Sequence, residues 1–163
     1  MLNLIMLVAF AAPPAAVIDN AKLEEMLKVL VEDFAKAEEE KSSLRKEAAY
    51  KNAFDKFNRA AKSKKTKIEV KIKSVGDTEL PGKYSFGVAI EKIDVPGVET
   101  ESKFPIRVPE KVALSFAEGD TAFLEGEMTF NRLAIGGEDE PLIVITAQVP
   151  HLLFLTRARI TKQ

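Results

Sequence analysis

The sequence predicts an α+β protein in which an N-terminal helical arm precedes a small closed β-barrel of five or six strands. Before Thr66, apolar residues recur at every third or fourth position, which is the spacing of an amphipathic helix. After Thr66 they alternate with polar residues over short stretches separated by Gly and Pro, as in strands joined by turns. The length of 163 residues fits one domain with an appendage. We therefore expect a helical arm over residues 19–62 and a barrel over residues 66–163.

The first residues are typical of an export signal. Residues 1–12 form an apolar run, and Ala9-Phe10-Ala11 offers a cleavage pattern of small residues. The run is too short for a helix across a bilayer, which needs about 20 residues. We predict a signal peptide over residues 1–16, a periplasmic or secreted protein, and no membrane span after signal removal. Because no Lys or Arg precedes the apolar run, a buried N-terminal segment of a cytoplasmic protein is the alternative.

The arm has the features of an amphipathic helix followed by an interruption. Asp19 and Asn20 are residue types that cap helix N-termini, and an apolar stripe continues from Leu23 to Phe34 in steps of four and three. Lys41 and two serines interrupt this stripe. We predict two helices, or one bent helix, over residues 20–40 and 43–62.

The apolar stripe of the first helix has two interpretations. As a coiled-coil seam, it makes Leu27 and Phe34 candidate interaction residues for self-association into a homodimer, although it lasts only about three heptads. As the inner face of a globular helix, it packs on the barrel, since most helices owe their stability to such packing. We favour packing on the barrel.

Short alternating stretches predict the strands. In the first, Ile68, Val70 and Ile72 point to one face while charged residues point to the other. Gly126, inside a later strand, marks a sharp bend or bulge of the kind that barrels use. The predicted strands cover residues 67–75, 84–90, 104–108, 121–130, 142–148 and 152–160, with a short helix or turn between residues 108 and 117.

Two segments resemble a known family. Ala48-Ala-Tyr-Lys-Asn-Ala-Phe-Asp-Lys-Phe57, followed by Lys64-Lys-Thr-Lys-Ile-Glu-Val70, resembles the beginning of small bacterial OB-fold domains of the tRNA-anticodon-binding-like type. Gly119-Asp120 followed by Gly126 is similar to the fourth strand of the OB pattern. The resemblance implies an OB-like barrel, often behind a signal peptide, and brings no functional residues with it. The chain has Ser63 in the basic turn where members usually place Gly.

Charge is distributed unevenly along the chain. Residues 41–73 carry twelve Lys and Arg against three Asp and Glu, whereas residues 1–40 carry three against eight. A basic middle can bind a polyanion, or it can meet the acidic helix around Glu38 within the same molecule. The candidate polyanion-binding residues are Arg59, Lys62, Lys64, Lys65, Lys67, Lys71 and Lys73.

Two observations oppose nucleic acid as the ligand. OB folds bind it with strands 2 and 3 and the adjoining loops, yet those loops carry Asp77 and Glu79, and Glu138–Glu140. Single strands also need exposed aromatic platforms, whereas Tyr84 and Phe86 fall on the apolar face of their strand and Trp is absent. A solvated charged face is the ordinary alternative for the basic residues.

Catalytic and cofactor signatures are missing from the sequence. The absence of Cys excludes disulfides, thiolate zinc sites and thiol nucleophiles, and the only histidine is His151. The acidic loop at Glu138–Glu140 lacks the alternating ligand spacing of a calcium loop. We predict a non-catalytic binding or interaction module, without cofactor or metal, for a protein or envelope partner. Binding of nucleic acid or another polyanion through the basic junction is the alternative, and a carboxylate-based hydrolase is a weaker one.

Overall fold

The computed structural model describes residues 16–77, 83–101, 106–132, 140–145 and 151–162. The fold is α+β, with two long helices on a curled antiparallel sheet. The predicted signal peptide lies outside the described residues except for Ala16. The elements are β1 (Val17–Ile18), α1 (Asn20–Glu38), α2 (Ser43–Ala61), β2 (Lys65–Asp77), β3 (Lys83–Ile90), β4 (Val98–Glu99), β5 (Ile106–Pro109), α3 (Glu110–Ala113), β6 (Thr121–Arg132), β7 (Glu140–Ile145) and β8 (His151–Lys162).

The two predicted helices form close to their predicted bounds. The side chain of Asp19 caps α1 by accepting a hydrogen bond of 2.9 Å from the backbone N–H of Lys22. The chain breaks between Glu38 and Ser43, where Lys41 and the serines interrupt the apolar stripe. Of the two alternatives, two separate helices therefore form, and not one bent helix.

Both helices pack on the sheet through their apolar faces. Leu23, Leu27 and Leu30 of α1 are at most 2% exposed and share one core with Ile68 and the inward residues of the neighbouring strands. Burying each such side chain contributes about 1.5–3 kcal/mol to folding. Rings from both helices meet the sheet in a cluster of Phe34, Tyr50, Phe54, Phe57 and Phe130.

The sheet is centred on β2. One edge of β2 pairs first with β1, in parallel at Lys65 and Thr66, and then with β3 from Val70 onward. The other edge pairs with β6 from Thr66 to Lys71. The described strands follow the order β4-β7-β8-β6-β2-β3-β5, and β1 lies beside β2 off this path.

Two glycines lie where the ladders shift register. The β2–β3 register shifts between Ile72 and Ser74, and a Cβ added to Gly87 would lie 2.5 Å from the Ser74 Oγ. A side chain at position 87 would therefore force the Ser74 hydroxyl to move. Gly126 of β6 lies at the register shift between β6 and β8, and the extra residue there is on β8, between Thr156 and Arg159.

The short segment of residues 98–101, which follows β3, contacts two distant parts of the sheet. Its first half, β4, pairs with β7 through Val98 and Glu99. Its second half returns to β3, where the Ile90 N–H donates to the Thr100 carbonyl at 2.9 Å and Glu101 bridges Ala89. The sequence did not predict this strand or β1, because two-residue strands have too few positions to display alternation.

The other predicted strands are present wherever the structure describes them. The strand predicted over residues 67–75 extends to Lys65–Asp77, and Ile68, Val70 and Ile72 are fully buried as expected. The short helix expected between residues 108 and 117 is α3. Residues 104–105 and 146–148 of two predicted strands lie outside the described residues.

Candidate functional site

The turn between α2 and β2 sets the direction of the basic segment. The helix ends at Ala61, and Ser63 adopts a φ of 62°, in the left-handed region that favours glycine. The Lys64 N–H then donates to the Ala61 carbonyl at 3.1 Å. This reversal places Lys62 and Lys65 on either side of one tight turn. Ser63 thus stands at a backbone position that a glycine would adopt with less strain.

Beyond this turn, α2 takes the place of a strand beside β6. The pairing of β2 with β6 ends at Thr66 and Gly126, because β2 begins at Lys65. Farther along β6, the side chain of Asn58 bonds to the backbone of Phe130 in both directions, at 2.9 and 2.7 Å. A gap therefore lies between the helix and the strand, between these two attachment points.

The gap is a groove of about 1060 Å³. Its walls come from the last turns of α2, from the α2–β2 turn and from residues 126–129 of β6. Four of the lining side chains are basic and two are acidic, so the groove carries an excess of positive charge. The lining residues are Asn52, Asp55, Asn58, Arg59, Ala61, Lys62, Ser63, Lys64, Lys65, Gly126, Glu127, Met128 and Thr129.

Four of the seven candidate polyanion-binding residues meet in this groove: Arg59, Lys62, Lys64 and Lys65. The side chains of Arg59, Lys62 and Lys65 are exposed. Arg59 is held along its own helix, since its Nε donates to the Asp55 carbonyl at 3.2 Å. Its terminal guanidinium nitrogens are not needed for this bond, so they can serve a ligand in the groove.

The other three candidates lie farther along the outer face of β2 and do not line the groove. The Lys67 ammonium lies 4.4 Å from the centroid of the Phe123 ring, and Lys71 pairs with Glu91 at 3.7 Å. Lys73 lies two residues beyond Lys71, the last β2 residue that pairs with β6. It is the extra residue of β2 at the register shift against β3.

The basic middle of the chain also pairs with the acidic first helix, but mostly through other lysines. Lys46 and Tyr50 both bond to Glu38, and Lys56 pairs with Asp33 at 2.7 Å. These contacts lower the pKa of Glu38, first through the bond from Lys46 and then through that from Tyr50. The acidic helix thus engages lysines outside the groove.

The structure places Leu27 and Phe34, the candidate interaction residues, inside the core. They are 0% and 4% exposed, and the sheet and α2 cover them within one copy of the chain. A second copy could contact these two side chains only after α1 had moved away from the sheet. Leu27 and Phe34 therefore do not belong to the groove or to any open face of α1.

Two site features were missed from the sequence. Asn58 lies in a helical stretch, where an asparagine gives no sign that its amide will bond to a distant strand. Phe123 lies on the outer face of β6, opposite its buried neighbours Ala122 and Leu124. The alternation of apolar and polar residues could have placed Phe123 outside, but its own apolar character obscured that pattern.

Several predicted features involve residues outside the described part of the chain. Glu79 and the loop residues Glu138 and Asp139 lie there, and the side chain of His151 is not described although its backbone begins β8. Among the described residues, no group of three or more His, Cys, Asp or Glu is placed to hold a metal ion. None of the helices in the described ranges has the length and apolar character to cross a membrane.

Comparisons of this chain with protein-family models, with curated proteins and with solved structures found no match.

Proposed function

We propose that this protein is a non-catalytic binding module that holds an anionic polymer in the groove between α2 and β6. The observation that carries the proposal is the meeting of Arg59, Lys62, Lys64 and Lys65 on one groove of about 1060 Å³. A concave surface with one sign of charge in excess attracts ligands of the opposite sign and raises their local concentration. A groove of this volume is much larger than a single small ion and has room for a ligand with several groups.

The charge balance of the groove supports a polyanion over a neutral ligand. Asp55 and Glu127 offset two of the four cations, so the groove lining keeps a net positive charge. Asn52 and Thr129 add neutral groups that can hydrogen-bond to phosphate, sulfate or carboxylate oxygens. A ligand with several anionic groups therefore finds both charge and directed hydrogen bonds.

We further propose that the curled sheet closes as an OB-like barrel and that the protein is exported. The segment from Val98 to Glu101 supports closure, because it pairs with β7 on one side and contacts β3 on the other. Export is supported by the apolar run of residues 1–12 alone, and an anionic envelope polymer would suit that location.

A charge-matched pair of double variants tests the groove. Lys62→Gln with Lys65→Gln removes two cations from it, whereas Lys73→Gln with Lys111→Gln removes two exposed cations from elsewhere. The readout is fluorescence anisotropy of labelled heparin at low and physiological salt. We expect the groove variant to weaken binding more than about tenfold and the control less than about twofold.

Three outcomes would contradict the groove proposal. Equal weakening by both double variants would mean that binding depends on total charge and not on the groove. Absence of binding to the unmodified protein at low salt would mean that the groove does not hold a polyanion. Binding that is insensitive to salt would also oppose it, because released counterions make polyanion binding salt-dependent.

A further inference from the structure

An aromatic ring lies on the outer face of the sheet, three residues before the groove-lining Gly126 on β6. Phe123 of β6 is half-buried, and its cross-strand neighbours are Glu69 on β2 and Thr161 on β8. The Lys67 ammonium covers the ring at 4.4 Å from its centroid. The inward residues on either side, Ala122 and Leu124, are fully buried, so Phe123 faces away from the core.

The basic groove and this ring are connected along β2. Lys65 lines the groove, and Lys67 follows two residues later on the same outer face. Two strand residues of this spacing lie about 7 Å apart, which a single extended nucleotide can span. A strand of nucleic acid leaving the groove at Lys65 would therefore meet Lys67 and then Phe123.

From this arrangement we infer that the anionic polymer is a single-stranded nucleic acid, whose phosphates lie in the groove and one of whose bases stacks on Phe123. The inference rests on the proposed function and names its ligand class. Every base has a flat π-face, and stacking it on an aromatic ring is worth more than an exposed contact between a cation and that ring. Lys67 can then leave the ring and pair with a phosphate.

The acidic residues around the ring are balanced by nearby cations. Glu69, directly across from Phe123, pairs with Lys92 at 3.0 Å. Glu125, the next outward residue of β6, lies between Lys67 on one neighbouring strand and Arg159 on the other. The approach to Phe123 is therefore not dominated by negative charge.

The described residues that line the groove include no aromatic side chain. The groove alone can hold a backbone of phosphates but cannot stack a base. Phe123 supplies the missing aromatic ring from β6. The OB pattern, in contrast, binds nucleic acid with the second and third strands of its own barrel numbering.

The decisive experiment compares two labelled probes of equal charge: a short oligothymidylate and an abasic strand with the same number of phosphates. Binding of each is measured by fluorescence anisotropy at low salt, alongside labelled heparin. The variants are Phe123→Leu, which keeps an apolar side chain but removes the flat ring, and Phe116→Leu as a matched control. Phe116 is a half-buried ring that packs against Phe86, outside the groove lining.

We expect the unmodified protein to bind the oligothymidylate about tenfold more tightly than the abasic strand. Phe123→Leu should remove that preference and leave heparin binding unchanged, while Phe116→Leu should retain it. Equal affinity of the unmodified protein for both strands would overturn the inference but leave the groove proposal in place, provided that heparin still binds. Failure to bind any of the three probes would overturn both.

Discussion

The side chain of Asn58 forms with the Phe130 backbone the two hydrogen bonds that a neighbouring strand would form. Its amide nitrogen donates to the Phe130 carbonyl at 2.9 Å, and its amide oxygen accepts from the Phe130 N–H at 2.7 Å. Asn20 forms the same pair of bonds with Glu69 on β2, and donates a third to the Glu91 carbonyl. Each long helix is thus fastened to the sheet by one asparagine at a point where a strand edge lacks its neighbour.

We expect Asn58→Ala to lower the free energy of unfolding by about 1–3 kcal/mol, because it leaves a partly buried N–H and carbonyl unpaired. Chemical denaturation measures the change. Asn52→Ala, an exposed asparagine on the same helix, serves as the control and should change stability by less than about 0.5 kcal/mol. Similar losses in both variants would indicate a general effect on the helix rather than the bonds to Phe130.

Ser63→Gly should stabilise the protein by about 0.5–1 kcal/mol. Ser63 has a φ of 62°, and a Cβ disfavours this conformation, whereas glycine adopts it freely. The thermal midpoint and the denaturation midpoint should both rise. Ser63→Ala retains the Cβ and should give no gain. Stabilisation by alanine as well would assign the effect to loss of the hydroxyl and not to backbone strain.

Thr66→Val should also stabilise the protein, by about 1 kcal/mol. Thr66 is 2% exposed, and its hydroxyl has no hydrogen-bond partner among the described residues. Moving the hydroxyl from water into the interior costs free energy, and no hydrogen bond offsets that cost. A methyl group in the same place does not carry this cost. Thr66→Ser keeps the hydroxyl and should destabilise through the lost methyl. A less stable valine variant would show that the hydroxyl does have a partner.

Tyr50 should ionise only at strongly alkaline pH. Burial, together with its bond to Glu38, raises the pKa of Tyr50 from 10.0 to about 12. The folded protein holds this proton more strongly than the unfolded chain does. The contribution of this proton to the free energy of unfolding is therefore fully present below pH 10 and is lost as pH rises toward 12. Absorbance titration of a Tyr84→Phe variant, in which Tyr50 is the remaining tyrosine, measures the value directly.

Adding Glu38→Gln to that variant tests the cause of the shift. The charge near Tyr50 is then removed while burial stays, so we expect the pKa of Tyr50 to fall partway toward 10.0. An unchanged value would mean that burial alone raises the pKa.

Local sequence patterns were sufficient to predict the helices and strands that bury one regular face. The stripe from Leu23 to Phe34 and the alternation of Ile68, Val70 and Ile72 each repeat at the period of their backbone. Burial of such a face needs no particular partner, so the helix and the strand could be predicted without knowing what covers them.

The sequence predicted only some of the residues that line the groove. A run of basic residues predicted a cationic junction, and Arg59, Lys62, Lys64 and Lys65 do meet there. Lys67, Lys71 and Lys73 were grouped with them because they are near in sequence, yet β2 carries them beyond the groove. Charge composition identifies a basic segment, but the course of the backbone decides which members share a surface.

The sequence by itself determined the succession of helices and strands, their inward faces and the position of the basic segment. All of these depend on residues that are close in the chain. Only the tertiary structure decided that Asn58 would bond to Phe130, 72 positions away, and that Phe123 would lie beside Lys67. Those contacts depend on which strand β2 pairs with and where that pairing stops. No local spacing of residues encodes that choice, because it is made by the packing of the whole core.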